Sequence, residues 1–297
     1  MKKILFPLLA AFLCACTEKI DIESRSDYHD YLAVQAILTD QADQPQQIVL
    51  SHSISFFHDE EQPMVKGASV QVNNIVFREV EDGVYMAPMG FHGEQGEDYH
   101  LKIQLAEGDV YEADTRMPEA GVEIDAIDYY WNGGTNKGLD SLWTIGLWGR
   151  EKEIRSEYML THSLNGLSAP FANATIVGDI FFNTSELAGF PVYPILHTEH
   201  RRKLYGDCYK VLETGDVLSL EIWTLDAGFS KYLSAINLGI VSVPLFSPQP
   251  ANTPTNIRGE HVLGYFAACS VSRASVVVDD PLRTHYRIAG LTDWGVQ

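Results

Sequence analysis

The sequence predicts a mostly β protein built as two β-rich units with one short helix. Three observations carry this. Short apolar-polar alternations such as Ala68-Ser69-Val70-Gln71-Val72 and Tyr99-His100-Leu101-Lys102-Ile103-Gln104-Leu105 have the period of two that belongs to a half-buried strand. Gly, Asn and Asp punctuate the chain at strand-length intervals, as at Asn73-Asn74, Asp82-Gly83 and Glu107-Gly108-Asp109. Helical spacing of apolar residues is confined to one stretch, where Phe229, Tyr232, Leu233 and Ile236 fall three and four apart. In the first unit, strands are expected at 31–38, 47–51, 68–72, 75–77, 84–86, 99–105 and 110–113, ending near Pro118. Their close spacing indicates an immunoglobulin- or transthyretin-like antiparallel β-sandwich over 31–118.

The remainder, 119–297, reads as a second β-rich domain. Longer strands are expected at 122–131 and 141–149, joined by the glycine-rich run Asn132-Gly133-Gly134-Thr135-Asn136-Lys137-Gly138. Strands at 154–164 and 217–225 follow, then the amphipathic helix at 227–238. Residues 241–258, rich in Pro, Asn and Thr, read as an ordered loop. Strands at 261–266 and 270–278 complete the unit. There is no internal repeat and no low-complexity tract.

The first thirty residues determine where the chain works. Lys2 and Lys3, a short apolar run and Leu13-Cys14-Ala15-Cys16 have the layout of a secretory signal peptide. The end of this stretch resembles the lipobox of bacterial lipoproteins, which implies cleavage after Ala15 and diacylation of Cys16. Cys14 fits less well, because Leu13 would then stand where a small residue belongs. The run is too short to span a hydrocarbon core of about 30 Å. Residues 1–15 are therefore expected to leave as the signal peptide, with 16–30 forming the lipidated cysteine and an acidic tether. The acidic stretch after Cys16 also resembles the surface-export signal of Bacteroidota lipoproteins. A lipid-anchored place in the outer membrane, exposed at the cell surface, is the expectation.

Removing 15 of the 297 residues leaves 282, enough for one large domain or two ordinary ones. Losing Lys2 and Lys3 leaves 19 basic against 40 acidic residues, a formal charge of −21. Such a field repels phosphate backbones and anionic headgroups, which argues against nucleic acid as a partner and leaves the acyl chains to hold the membrane. Beyond Cys16 only Cys208 and Cys269 remain. They are candidates for a disulfide in an oxidising compartment, closing a loop of about sixty residues worth roughly 2–4 kcal/mol. The alternative is that Cys269, inside Tyr265-Phe266-Ala267-Ala268-Cys269, packs as a free apolar residue.

Catalytic patterns are missing. No Gly-x-Ser-x-Gly, no cysteine–histidine motif and no Gly-rich phosphate loop before a helix occurs, so neither an enzyme nor a cofactor is expected. His197-Thr198-Glu199-His200 has the wrong order for a zinc protease, and Pro191 and Pro194 just upstream argue against a helix there, so the stretch reads as an exposed loop. His58-Asp59-Glu60-Glu61 lacks the alternating oxygens and the glycine of a calcium loop. No metal site is expected from either. The aromatics Tyr129, Tyr130, Trp131, Trp143, Trp148 and Trp223 either fill a sandwich core or, in part, stack on a sugar or clamp a peptide; Tyr130 and Trp131 are the candidate ligand surface. Pro250, Asn252, Pro254 and Asn256 lie in a loop that proline stiffens, suited to docking a partner or to covering a sheet edge. Asp140-Ser141-Leu142 resembles the O-glycosylation acceptor of exported Bacteroidota proteins.

A longer resemblance covers most of the chain. The pieces 63–72, Gly83-Val84-Tyr85, 93–101, Met117-Pro118 with Ile124-Asp125-Ala126-Ile127, and above all Pro250-Ala251-Asn252-Thr253-Pro254-Thr255-Asn256-Ile257 leading to Leu263-Gly264-Tyr265-Phe266 and Ser270-Val271-Ser272-Arg273 occur in that order. Together they resemble the Bacteroidota lipoprotein family of domain of unknown function 4249. Gly259-Glu260-His261 departs from the paired glycines usual there. The resemblance implies a lipoprotein often encoded beside a TonB-dependent outer-membrane receptor, and it implies no catalytic residue. The expected function is thus a non-catalytic accessory binding component of a TonB-dependent nutrient uptake system, with an unknown glycan or peptide ligand. A structural or adhesive surface protein is the alternative.

Overall fold

The computed structural model describes residues 31–53, 62–134, 141–152, 156–169, 174–177, 187–197, 199–240 and 253–287. The signal peptide, Cys16, the tether, the 58–61 cluster, Asp140, Pro250 and Asn252 lie outside them. Seven strands make up the first half: β1 Leu32–Thr39, β2 Gln47–His52, β3 Ser69–Val72, β4 Ile75–Glu81, β5 Val84–Met86, β6 Asp98–Gln104 and β7 Val110–Arg116. Each falls where alternation placed it. β6 reads exposed-buried throughout, with Tyr99, Leu101 and Ile103 inward. Asn73 and Asn74 both take positive φ, 48° and 65°, forming the tight hairpin that joins β3 to β4.

The second half contributes β8 Val122–Gly134, β9 Ser141–Glu151, β10 Glu157–Leu164, β11 Leu167–Ser168, β12 Thr175–Val177, β13 Leu187–Leu196, α1 Glu199–Tyr205, β14 Val217–Leu225, α2 Ala227–Ile240 and β15 Val262–Val277. β13, β9 and β8 form a small sheet in that order. The other strands run β11-β10-β14-β15-β1-β2-β5-β4-β3-β6-β7 in one sheet, with β12 also on β10. The protein is therefore mostly β, with two α-helices among the described residues where one was expected.

Two expectations need correction. The strands expected at 261–266 and 270–278 are one sixteen-residue strand, β15. Within 31–118 every strand pairing is antiparallel, as expected, and β1 takes in addition a parallel partner from the second half, β15, with Leu32 opposite Val262 through Thr39 opposite Cys269. The prolines at 191 and 194 do not keep a helix from the histidine stretch, where α1 begins at Glu199. They lie in β13, which pairs with β9 alone and carries register shifts between Ala188 and Phe190 and between Pro191 and Tyr193. An edge strand with bulges is where a residue lacking an N–H can sit.

β15 joins the two halves. Its first half pairs with β1, and its second half pairs with β14, Val217 opposite Val277 through Thr224 opposite Ser270. Each half thus has one edge without a partner strand, and side chains occupy it. Beside β1, the Asn256 amide donates from Nδ2 to Phe266 O at 2.8 Å and accepts the Phe266 N–H at 3.0 Å. Arg258 exchanges backbone bonds with Glu112 of β7, so hydrogen bonding runs from β7 through 256–258 back to β15. Beside β14, Asp40 Oδ1 accepts the Val271 N–H at 2.9 Å and Gln41 Nε2 donates to Val271 O at 2.8 Å. Gly264, at φ +106°, permits the β1 approach: a Cβ there would lie 1.9 Å from Val34 O.

The apolar cores follow the same division. One gathers Leu32–Met117 side chains with Ile257, Val262, Phe266 and Ala268; a second runs from Val122 to Val278. The changeover lies between Met117 and Val122, while β15 contributes to both. A third, smaller cluster packs Phe229, Leu233 and Tyr232 of α2 on Tyr265, Ala267 and Cys269. Asp226 starts that helix by accepting the Gly228 and Phe229 N–H groups at 2.7 and 3.0 Å.

Two predictions follow from this packing. Replacing Asn256 by Ala strands both backbone groups of the fully buried Phe266, at about 1–3 kcal/mol. Thermal unfolding should register it as a Tm lower by several degrees. The second concerns His162 and His197, buried beside Tyr209 with ring centroids 5.3 and 6.5 Å from it. Burial lowers both imidazoles from the usual 6.5 to about 4. Between those values the unfolded chain takes up protons that the folded chain refuses, so stability falls as pH drops through 6.5 toward 4. The loss should approach roughly 3 kcal/mol per imidazole. Urea midpoints measured from pH 7.5 to 4.5 should show that slope, and His197→Phe should reduce it by about half, leaving the His162 contribution.

Candidate functional site

A groove of about 530 Å³ opens on the face of the large sheet opposite the first core. Its floor comes from alternate residues of adjacent strands. In β1, Val34, Ala36 and Leu38 turn into the core, which leaves Gln35 and Ile37 on the other face. In β2, Ile48 and Leu50 are core residues, and Gln47 and Val49 share the outer face. Tyr265 of β15 and Trp223 and Glu221 of β14 continue the floor, and α2 forms a wall with Phe229, Tyr232, Leu233 and Ile236. One side is apolar and aromatic; the other is lined with amides.

The aromatic side is a fixed platform. Phe229 and Tyr232 stack at 6.1 Å with their planes 15° apart, and Tyr265 packs on both at 5.5 and 5.4 Å. Burial pushes the Tyr265 hydroxyl up to about 12. It donates to Asp226 at 3.4 Å, which ties the floor to the start of α2. Trp223, half-buried, donates from its indole N–H to Glu221 at 3.2 Å. Glu221 also accepts from Arg273 Nε at 3.0 Å, and Arg273 reaches Asp43 at 3.3 Å. Glu221 and Arg273 are the only charged residues lining the groove among those described, and they neutralise each other.

The amide side differs in availability. Gln46 is buried and consumed by Thr39, whose N–H it accepts at 2.8 Å. Gln41 is committed to Val271 O. Gln35, Gln44 and Gln47 are exposed at the groove. Gly166 and Ser168 close the far end from the β10–β11 hairpin, where Asn165 and Gly166 take φ of 52° and 81°. That Asn-Gly pair is a strong hairpin signal in the sequence, and it locates β11.

Of the residues singled out from sequence, Trp223 alone reaches this groove. Tyr130 and Trp131 are half-buried beneath the C-terminal segment rather than free to meet a ligand. Tyr286 meets Tyr130 edge-on at 4.7 Å and Trp148 at 5.1 Å, and the Trp131 N–H donates to Arg283 O. Arg283 is buried, bonded to Asp128 and stacked 3.9 Å over Tyr129. Pro254 is exposed, whereas Asn256 is the pin on β15 described above. Of the two readings of the cysteines, the disulfide is not the one seen. Cys208 lies with Ala169 and Tyr209, Cys269 lies under α2, and both are free, buried thiols in separate clusters.

The histidine stretch is likewise not an exposed loop. His197 is buried, edge-on to Trp143 at 4.9 Å, and α1 begins two residues later with His200 exposed. The two histidines therefore face different surroundings. Among the described residues no three His, Cys, Asp or Glu side chains converge as a metal site. No helix among them is long and apolar enough to cross a membrane.

No curated protein matches the sequence. A family model does, over residues 17–275, which takes in every element from β1 to the second half of β15. The chain belongs to the family defined by domain of unknown function DUF4249.

Proposed function

We propose that this protein is a lipid-anchored, non-catalytic binding component of a nutrient uptake system, held in the outer membrane at Cys16 and working beside a TonB-dependent receptor. The observation that carries the binding role is the groove. It is already formed, lies within the roughly 300–1,000 Å³ range of small-molecule sites, and pairs an aromatic wall with exposed amides. Its ligand is a glycan or a peptide, the two classes that such a lining can stack on or hydrogen-bond. The signal-peptide pattern and Cys16 support the anchor, and the acidic stretch that follows supports display at the cell surface. The formal charge of −21 after cleavage keeps the body off anionic headgroups, leaving the acyl chains as the attachment.

Three measurements test this. Membrane fractionation should place the intact protein in the outer membrane and move Cys16→Ala to the soluble fraction. Pull-down of the tagged protein from native membranes should then recover a TonB-dependent receptor, and deleting the gene should slow growth on one nutrient. Normal growth with altered attachment would favour the adhesive reading instead.

A further inference from the structure

The groove's lining is more selective than the choice between glycan and peptide, and we propose that it takes a neutral carbohydrate chain. This rests on the binding role above. Three features of the groove support it. Among the described residues the lining carries no net charge, because its only charged side chains there, Glu221 and Arg273, are bonded to each other at 3.0 Å. Anionic or cationic ligands would find no uncompensated partner there, and the acidic body adds repulsion for anions.

The second feature is the match of surfaces. A sugar ring presents apolar C–H faces and a rim of hydroxyl groups. Half-buried Trp223 and Tyr232 offer flat apolar surfaces for the faces. Gln35, Gln44 and Gln47, exposed on the other side, each offer two donors and an acceptor, which suits adjacent hydroxyls that both give and receive hydrogen bonds. The third is what the floor lacks. Extended peptides commonly bind sheets by adding a strand to a free edge. Here β1 is paired on both sides, by β2 and β15, so its backbone has nothing left to offer.

The test uses the full lipidated protein in phospholipid nanodiscs, free of sugar-based detergent. Neutral hexasaccharides of glucose, xylose, mannose and galactose are titrated by calorimetry, alongside hexagalacturonate and a tryptic casein digest. At least one neutral hexasaccharide should bind, and Trp223→Ala and the double variant Gln35→Ala/Gln47→Ala should each weaken it tenfold or more. Because Gln35 and Gln47 are exposed, their double variant should keep the parent's unfolding temperature, and the half-buried Trp223→Ala should keep the parent's circular-dichroism spectrum, which separates lost binding from lost fold. Hexagalacturonate binding more tightly than every neutral chain overturns the proposal. So does Trp223-dependent binding of the casein peptides without any saccharide, although the binding role itself then stands. No Trp223-dependent binding of any probe overturns both.

Discussion

Everything in this fold depends on one strand changing partners along its length. β15 has sixteen residues, so at roughly 3.3 Å per residue it spans about 50 Å, longer than either β1 or β14 can accompany. Its first eight residues, 262–269, have β1 on one side and its next eight, 270–277, have β14. A buried backbone amide or carbonyl left without a partner costs free energy comparable to a lost hydrogen bond. The unpaired stretches are therefore the weak points, and Asn256 on one side and Asp40 with Gln41 on the other supply the missing bonds. Primary amides suit this role because a single side chain can both donate and accept, as a neighbouring strand would.

The same changeover creates the groove. Where β1 leaves β15 and β14 takes over, the face of the sheet is not continued by one neighbouring strand, and α2 covers only part of it. Ile37, Tyr265, Trp223 and Val271, from three strands on either side of the changeover, end up around one opening. Tyr265 belongs to floor and scaffold together, since its hydroxyl reaches the residue that starts α2. The aromatic wall is thus held by the elements that join the two cores.

Much of this was legible in the residues because local pattern and burial coincide. Period-two alternation in 68–72 and 99–105, and apolar runs between turn residues elsewhere, located the seven strands of the first half, and β14 and α2 begin where the pattern put them. What escaped was non-local. Nothing in 261–278 marks where one strand partner replaces another, so one continuous strand read as two. Prolines in an edge strand look like breakers until the sheet order shows which side of the strand needs no N–H. The aromatics of the second half were visible, but whether each faced core or ligand depended on a C-terminal segment placing Tyr286 over Tyr130 and Trp148. Of the groove, Trp223 and the helical face of Phe229, Tyr232, Leu233 and Ile236 stood out, the latter as a packing surface. Gln35 and Gln47 are ordinary outward residues of alternating strands, and their role arises from α2 packing on the same face.

The block that most specifically resembles the family now has a physical account, and it concerns the seam between the halves. Asn256 pairs with Phe266, Ile257 enters the first core, Gly264 lets β1 approach, and Val271 receives Asp40 and Gln41. Within this block Tyr265, Val271 and Arg273 also touch the groove, but the exposed amides and Trp223 lie outside it. Membership in the family therefore speaks to how the two cores are joined. The groove's exposed and half-buried lining, Gln35, Gln44, Gln47, Trp223 and Tyr232, lies outside this block and supplies none of the hydrogen bonds that close the seam.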